Sequence, residues 1–131
     1  MGGVEENTRL RGYRELVAWQ TAMDLVEFVY VATRNWPKEE LYSLTSQVRR
    51  AVVSVPSNIA EGQARALSKE FLYHLRIAYG SLSELETQII VAQRLGYISH
   101  EVVERILAQS AEVSRLINGL SRSLLNRQID D

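Results

Sequence analysis

The chain has 131 residues, of which 46% are hydrophobic and 24% charged, and its 15 basic and 16 acidic side chains leave a net charge of −1. This length and this composition are typical of one ordinary globular domain. Cysteine is absent, which excludes disulfides, thiol nucleophiles and cysteine-ligated metal sites and favours a cytoplasmic location.

Residues 1–12 contain acidic side chains and no apolar run, so we expect a mobile tail there rather than a signal peptide. Apolar residues then recur at helical spacing in four successive segments, which predict four helices within a domain at 13–126, followed by a frayed tail at 127–131. No apolar run is long enough to span a membrane.

The predicted core stripe of the first helix is Leu16, Trp19, Met23, Val26, Tyr30 and Thr33. Those of the next three are Leu44, Val48, Ala51, Val55 and Ile59; Phe71, Leu75, Ala78, Leu82, Leu85, Ile89 and Ala92; and Val103, Ile106, Ser110, Val113, Ile117, Leu120 and Leu124.

Residues at the segment ends match known helix-terminating signals. Ser43, Ser68 and Ser99 are expected to cap the second, third and fourth helices, because serine hydroxyls accept hydrogen bonds from free amides at helix starts. Gly96 is expected to end the third helix in a left-handed conformation. Pro56 lies inside the second segment and predicts a kink or a broken turn. Short connections favour antiparallel neighbours, so the predicted fold is an all-α, up-down-up-down four-helix bundle.

Two of the helices carry more apolar surface than one bundle needs. These additional residues lie roughly opposite the core stripes, and they are Val17, Phe28 and Val31 on the first helix and Tyr73, Ile77 and Val91 on the third. A second apolar strip often marks a protein–protein contact, which predicts a homo-oligomer. The alternative is that these are isolated surface side chains, which are common.

No motif for enzyme chemistry is present. The sequence lacks the glycine-rich phosphate loops, the nucleophile elbow and the paired histidine motif of metalloproteases. His74 and His100 fall on different segments, and we expect His74 to be a partly exposed surface residue. The sequence therefore predicts no catalytic residue, no metal, no cofactor and no small-molecule substrate.

The middle of the chain is basic. Residues 41–80 contain five basic and only two acidic side chains, and the basic ones are Arg49, Arg50, Arg65, Lys69 and Arg76. These could contact RNA or DNA, or could pair with acidic ends of the same protein.

One edge of the second helix carries polar residues at helical spacing, namely Gln47, Arg50, Ser54, Asn58 and Glu61. This edge is either a structural hydrogen-bonded network or a phosphate contact.

Three blocks of sequence resemble one known family. The run from Leu44 to Gly62, LTSQVRRAVVSVPSNIAEG, the block from Glu70 to Gln88, and the start LVAWQ at residues 16–20 closely resemble the 23S ribosomal-RNA intervening-sequence proteins of bacteria. The similarity extends over roughly residues 13–124. It implies an antiparallel four-helix bundle and a ring-like homo-oligomer, which we expect to be a pentamer. The biochemical role of most members is unknown. A related branch, the accessory proteins of diversity-generating retroelements, is associated with nucleic acid.

Two functions follow from these observations. The leading hypothesis is a non-enzymatic homo-oligomeric scaffold whose partner is a further copy of itself. The alternative is an RNA- or DNA-binding adaptor that uses the basic surface of the second and third helices.

Overall fold

A computed structural model describes residues 12–130, with side chains described as far as residue 127. Within that range the chain forms helices α1 (Val17–Thr33), α2 (Leu44–Ala64), α3 (Ser68–Arg94) and α4 (His100–Asp130), and two 3₁₀ turns at Tyr13–Glu15 and Lys38–Glu40. The N-terminal tail predicted at residues 1–12 lies, except for Gly12, outside the described residues. The domain boundary predicted at residue 126 does not coincide with a helix end, since α4 continues to Asp130.

The four helices form the predicted antiparallel bundle. Each helix packs against its neighbours in the chain and α1 also packs against α4, whereas the diagonal pairs α1–α3 and α2–α4 do not approach closely within the described residues. Ser54 of α2 lies opposite Ser81 of α3, and Asn58 lies opposite His74, so these two helices run in opposite directions. The predicted all-α four-helix bundle is therefore confirmed.

The core is built from the stripes predicted on α2, α3 and α4. Their largest fully buried members include Val48, Val55, Ile59, Leu75, Leu82, Leu85, Ile89, Ile106 and Ile117. Residues at intervals of three and four share one face of a helix, so each stripe turns toward the bundle axis. Phe71 and Leu120 lie at the margin of the core and are half-buried.

The stripe predicted on α1 was wrong by about one position, except at Thr33, which is buried as predicted. The buried face of α1 consists of Ala18, Ala22, Leu25, Val29 and Thr33. Trp19, Met23 and Val26 are half-buried beside this face, and Tyr30 is exposed. Two alanines lie at the centre because small side chains let α1 approach its neighbours closely, while the larger side chains fill the space along the edges. The sequence prediction favoured the larger residues and therefore missed this arrangement.

The ends of the helices only partly follow the predicted caps. Gly96 has φ of +80°, its amide donates to Gln93 and the Tyr97 amide donates to Ala92, which together form a Schellman motif. The Ser99 hydroxyl accepts from the amide of Val102, as predicted. Ser43 is the N-cap residue of α2, as predicted, but it makes no capping side-chain hydrogen bond, and the cap predicted at Ser68 was wrong. The Ser43 hydroxyl donates to Glu40 instead, and Ser68 is already the first residue of α3, preceded by Leu67 without a side-chain cap.

Pro56 lies within α2 without interrupting it. The helix extends from Leu44 to Ala64, and Pro56 is buried. A proline removes one backbone donor from a helix. The helix is continuous through Pro56, so the predicted broken turn is not present, and the alternative, a kink, stays a prediction.

Candidate functional site

A chain of hydrogen-bonded polar side chains lies between α2 and α3. The Asn58 side-chain nitrogen donates to the Ser54 carbonyl at 2.9 Å and to the Ser54 hydroxyl at 3.0 Å. That hydroxyl lies 2.9 Å from the hydroxyl of Ser81 on α3, with which it shares a hydrogen bond. We call this set, completed by His74, the polar seam.

His74 completes the polar seam and is not the partly exposed residue that we predicted. It is only 9% exposed, and its Nδ1 lies 3.0 Å from Asn58 Oδ1. Because the Asn58 nitrogen already donates to Ser54, its oxygen must accept, so the hydrogen lies on Nδ1 of His74. His74, Ser81 and Gln88 are all buried and recur every seven residues along α3, a polar repeat beside the apolar stripe that could have predicted their burial.

Gly62 allows α2 and α3 to approach closely at one end of the polar seam. A β-carbon at this position would lie 2.8 Å from the β-carbon of His74 and 3.0 Å from Cδ1 of Phe71. Both distances are too short for ordinary carbon contacts. A glycine is therefore required at position 62 because α3 packs against it. The end of α2 at Ala64 is not the only reason for it.

The structure brings together only part of the predicted polar edge of α2. Ser54 and Asn58 belong to the polar seam, and the Glu61 carboxylate lies at its border, 4.0 Å from Nε2 of His74. Glu61 also forms an ion pair with Arg65 at 3.1 Å. Gln47 and Arg50 are exposed, and neither forms a side-chain hydrogen bond or ion pair with another described residue.

An open groove lies on α2 near the end of α1, and it borders the polar seam at Ser54. Its volume is about 580 Å³, and its lining comprises Tyr30, Leu41, Tyr42, Ser46, Arg49, Arg50, Val53, Ser54 and Ser57. Nε of Arg49 donates to the Thr33 hydroxyl at 3.0 Å, and its guanidinium lies 4.7 Å from the centre of the Tyr30 ring. We call this the α1–α2 groove. As far as the structure describes the chain, its lining carries two positive charges and no acidic side chain.

The five basic residues predicted as a nucleic-acid surface do not form one cluster. Arg49 and Arg50 line the α1–α2 groove near the start of α2. Arg65 follows the end of the same helix, about 22 Å further along at 1.5 Å per residue. Lys69 and Arg76 are exposed on α3.

The six apolar residues predicted as oligomer contacts are distributed over two faces. Tyr73, Ile77 and Val91 are exposed on α3, with Tyr73 61% accessible. Val17 and Val31 are 59% and 54% exposed on α1. Phe28 differs from the other five, because it packs against the core and the guanidinium of Arg105 lies 4.2 Å above its ring.

A carboxylate at the start of α2 connects two loops. Glu40 accepts hydrogen bonds from the Ser43 hydroxyl at 2.6 Å and from the Tyr97 hydroxyl at 2.9 Å. These donors, together with the Leu44 amide, lower the pKa of Glu40 from its ordinary value of 4.5. The same bond raises the pKa of Tyr97 from 10.0, since the carboxylate disfavours loss of the phenolic proton. The contact fixes the α1–α2 connection against the α3–α4 connection.

Nothing in the described part of the chain resembles a metal centre. No group of three or more His, Asp or Glu side chains among these residues could hold an ion. None of the described helices is both long and apolar enough to cross a membrane.

Comparisons with known proteins agree with the resemblance seen in the sequence. Residues 14–119 match the family model described as 23S rRNA-intervening sequence protein. A crystal structure of a protein of unknown function from the S23 ribosomal protein family of Bacteroides thetaiotaomicron is similar in fold, with a TM-score of 0.71 and 22% sequence identity over 80% of this chain and 98% of that one. No curated protein matches the chain.

Proposed function

As the chain belongs to the 23S rRNA-intervening sequence protein family, we propose that it is a non-enzymatic, homo-oligomeric interaction protein of the cytoplasm. The observation that carries this proposal is the outer face of α3. Tyr73, Ile77 and Val91 are exposed at spacings of four and fourteen residues, which place them on one side of this helix. Apolar strips of this kind are favourable when a second helix covers them.

The position of the second apolar face supports a head-to-tail assembly. Val17 and Val31 lie on α1, which is diagonal to α3 in the bundle. Two different faces on opposite sides of one subunit form heterologous contacts, and such contacts close into rings when the rotation between subunits permits. This geometry favours a ring over a two-fold dimer, and the family resemblance suggests five subunits.

The mass of the assembly in solution tests this proposal. We expect native mass spectrometry of the untagged wild-type protein to give a multiple of 14.9 kDa, and Ile77→Glu to lower that mass while circular dichroism remains helical. Leu125→Glu is the matched control, because Leu125 is an exposed apolar residue of α4 outside both predicted faces. Phe28 is unsuitable for this test, since it packs on the core. A monomeric wild type, or an Ile77→Glu assembly of unchanged mass, would refute the proposal.

A nucleic-acid adaptor is the second candidate, and the pair of arginines in the α1–α2 groove favours it. Arg50 has no partner among the described side chains, and no carboxylate lines the groove. If Arg49 and Arg50 contact phosphates, replacing both by glutamine weakens RNA or DNA binding and flattens its dependence on salt. Additional mass on the purified assembly that nuclease removes would support this candidate, whereas an unchanged affinity and salt slope in the double variant would exclude it.

A further inference from the structure

The α1–α2 groove has the dimensions of a small-ligand site. Its volume of about 580 Å³ lies within the range of about 300–1,000 Å³ typical of ligand pockets, and it is far larger than a single inorganic anion requires. Its lining comes from α1, from the α1–α2 connection and from α2, and it includes none of the α3 residues on which the proposed assembly depends. Ligand binding in the groove and self-association therefore involve different residues.

Arg49 is held in place before any ligand arrives. Its Nε donates to the hydroxyl of Thr33, which is itself buried and bonded to the carbonyl of Val29 at 2.9 Å. The ring of Tyr30 supports the guanidinium from one side. With Nε engaged, the two terminal nitrogens of Arg49 remain available as donors. A fixed guanidinium loses little conformational entropy on binding an anion.

Arg50 adds a second positive charge that nothing in the described chain neutralises. Arg65 and Arg115 form ion pairs with Glu61 and Glu112, whereas Arg50 has no such partner. Two guanidinium groups that line one groove with no carboxylate among the described lining residues match a dianion better than a monoanion. A phosphate monoester carries a charge of about −1.5 to −2 at neutral pH and presents three acceptor oxygens.

The rest of the lining combines three serines, Ser46, Ser54 and Ser57, with an apolar and aromatic part. Tyr42 is 93% exposed, and Leu41 and Val53 are exposed beside it. A flat ring stacked on Tyr42 would cover this apolar surface, which a bare phosphate would leave in water.

We infer that the α1–α2 groove binds a phosphate monoester carried on a planar ring, with the phosphate on Arg49 and Arg50 and the ring against Tyr42. Two sources share this chemistry. One is a free phosphorylated small molecule such as a nucleoside monophosphate, and the other is the phosphorylated end of a nucleic-acid strand.

Isothermal titration of the wild-type protein with phenyl phosphate tests the chemistry, since this probe contains only the ring and the phosphate. We expect saturable binding that is tighter than that of inorganic phosphate or of phenol. Arg50→Gln should weaken it by about tenfold or more, because it removes a charge-assisted hydrogen bond. Arg76→Gln is the matched control, removing the same charge from an exposed position on α3, and should change affinity by less than about twofold.

Three results would overturn the inference: no saturable binding, equal losses in Arg50→Gln and Arg76→Gln, or inorganic phosphate binding as tightly as phenyl phosphate. A second titration compares a nucleoside 5′-monophosphate with short oligonucleotides carrying a 5′-phosphate or a 5′-hydroxyl. Tighter binding of the phosphorylated strand assigns the site to strand ends, and tighter binding of the mononucleotide assigns it to a free ligand. Equal binding of the 5′-hydroxyl strand would refute the need for a terminal phosphate. The mass of the assembly, measured on the same samples, separates failure of this inference from failure of the proposed self-association.

Discussion

Helix α2 presents polar side chains to two neighbours, and the two sets behave in opposite ways. Toward α3, Ser54 and Asn58 form hydrogen bonds with Ser81 and His74 and are largely removed from water. Toward the end of α1, Arg49 and Arg50 line a groove that has no acidic side chain among its described lining residues. The hydrogen bonds of the polar seam are made within the protein, whereas in the open α1–α2 groove Arg50 and the terminal nitrogens of Arg49 have no partner among the described residues.

The difference comes from what each neighbouring helix supplies. On the seam side, Gly62 lets α3 approach closely. There α3 places Ser81 opposite Ser54 and His74 opposite Asn58, so each polar side chain has a partner. On the groove side, α1 ends at Thr33, and the connection to α2 leaves Tyr42 exposed instead of covering α2. Polar residues in a packed interface therefore contribute to stability, while similar residues beside a helix end remain free for binding.

Removing Asn58 should give the largest loss of stability. Asn58→Leu deletes the acceptor of His74 and the donor to Ser54, and leaves the His74 N–H buried without a partner. We expect the free energy of unfolding to fall by about 2–4 kcal/mol, measured by urea denaturation at one fixed protein concentration.

Asn118→Leu is the control, because Asn118 is exposed on α4 and the same substitution there should change stability by less than about 0.5 kcal/mol. If both substitutions changed the free energy of unfolding equally, the hydrogen bonds of the polar seam would contribute no more to stability than an exposed asparagine does.

Gly62→Ala should have the next largest effect. The new methyl group would contact the β-carbon of His74 and the ring of Phe71 and force α2 and α3 apart, at a cost of about 1–3 kcal/mol. Gly119→Ala in α4 meets nothing within 4 Å and should stabilise by about 0.5–1 kcal/mol through helix propensity. The two alanines thus have opposite signs in thermal or urea unfolding, and a stabilising Gly62→Ala would contradict the close approach.

The Glu40–Tyr97 contact is more exposed than the polar seam and should give the smallest effect. Because the pKa of Glu40 is lowered in the folded state, its contribution is present above the ordinary value of 4.5 and is lost as the pH falls through the folded value. The difference in Tm between wild type and Glu40→Gln should be largest near about pH 7 and close by about pH 3. A difference that persists unchanged in acid would show that the carboxylate charge is not involved. Since the pKa of Tyr97 is raised, the stabilisation linked to its phenolic proton is lost only in alkali, above 10.0.

The fold could be predicted from the sequence because the spacing of apolar residues shows which face of each helix is buried. The stripes on α2, α3 and α4 alternate at three and four residues, and such spacing has one structural interpretation. The stripe on α1 was misplaced because alanine is a weak hydrophobic signal, yet Ala18 and Ala22 occupy the core where helices approach closely. Size and fit, which decide such positions, are not visible in one sequence.

The candidate sites were less accessible to sequence reasoning, since they depend on which helix supplies a partner. Spacing correctly grouped Ser54 with Asn58, but it could not indicate that His74 and Ser81 would meet them from α3. Arg49 and Arg50 are adjacent in sequence and look equivalent there. Only the positions of Thr33 and Tyr30 distinguish the fixed arginine from the free one.

The bonds across the polar seam also restrict how α2 and α3 can be aligned. Apolar stripes repeat with each helical turn, so a slip of one turn, about 5.4 Å, would still bury leucines and valines against one another. The same slip would separate Ser54 from Ser81 and Asn58 from His74, and would move Gly62 away from the ring of Phe71. Buried polar groups that match in one register alone make every other register costly. This pair of helices therefore has a single native alignment. The exposed side chains of α2 and α3 consequently keep fixed positions relative to each other along the bundle axis, and a binding partner contacts them in that arrangement.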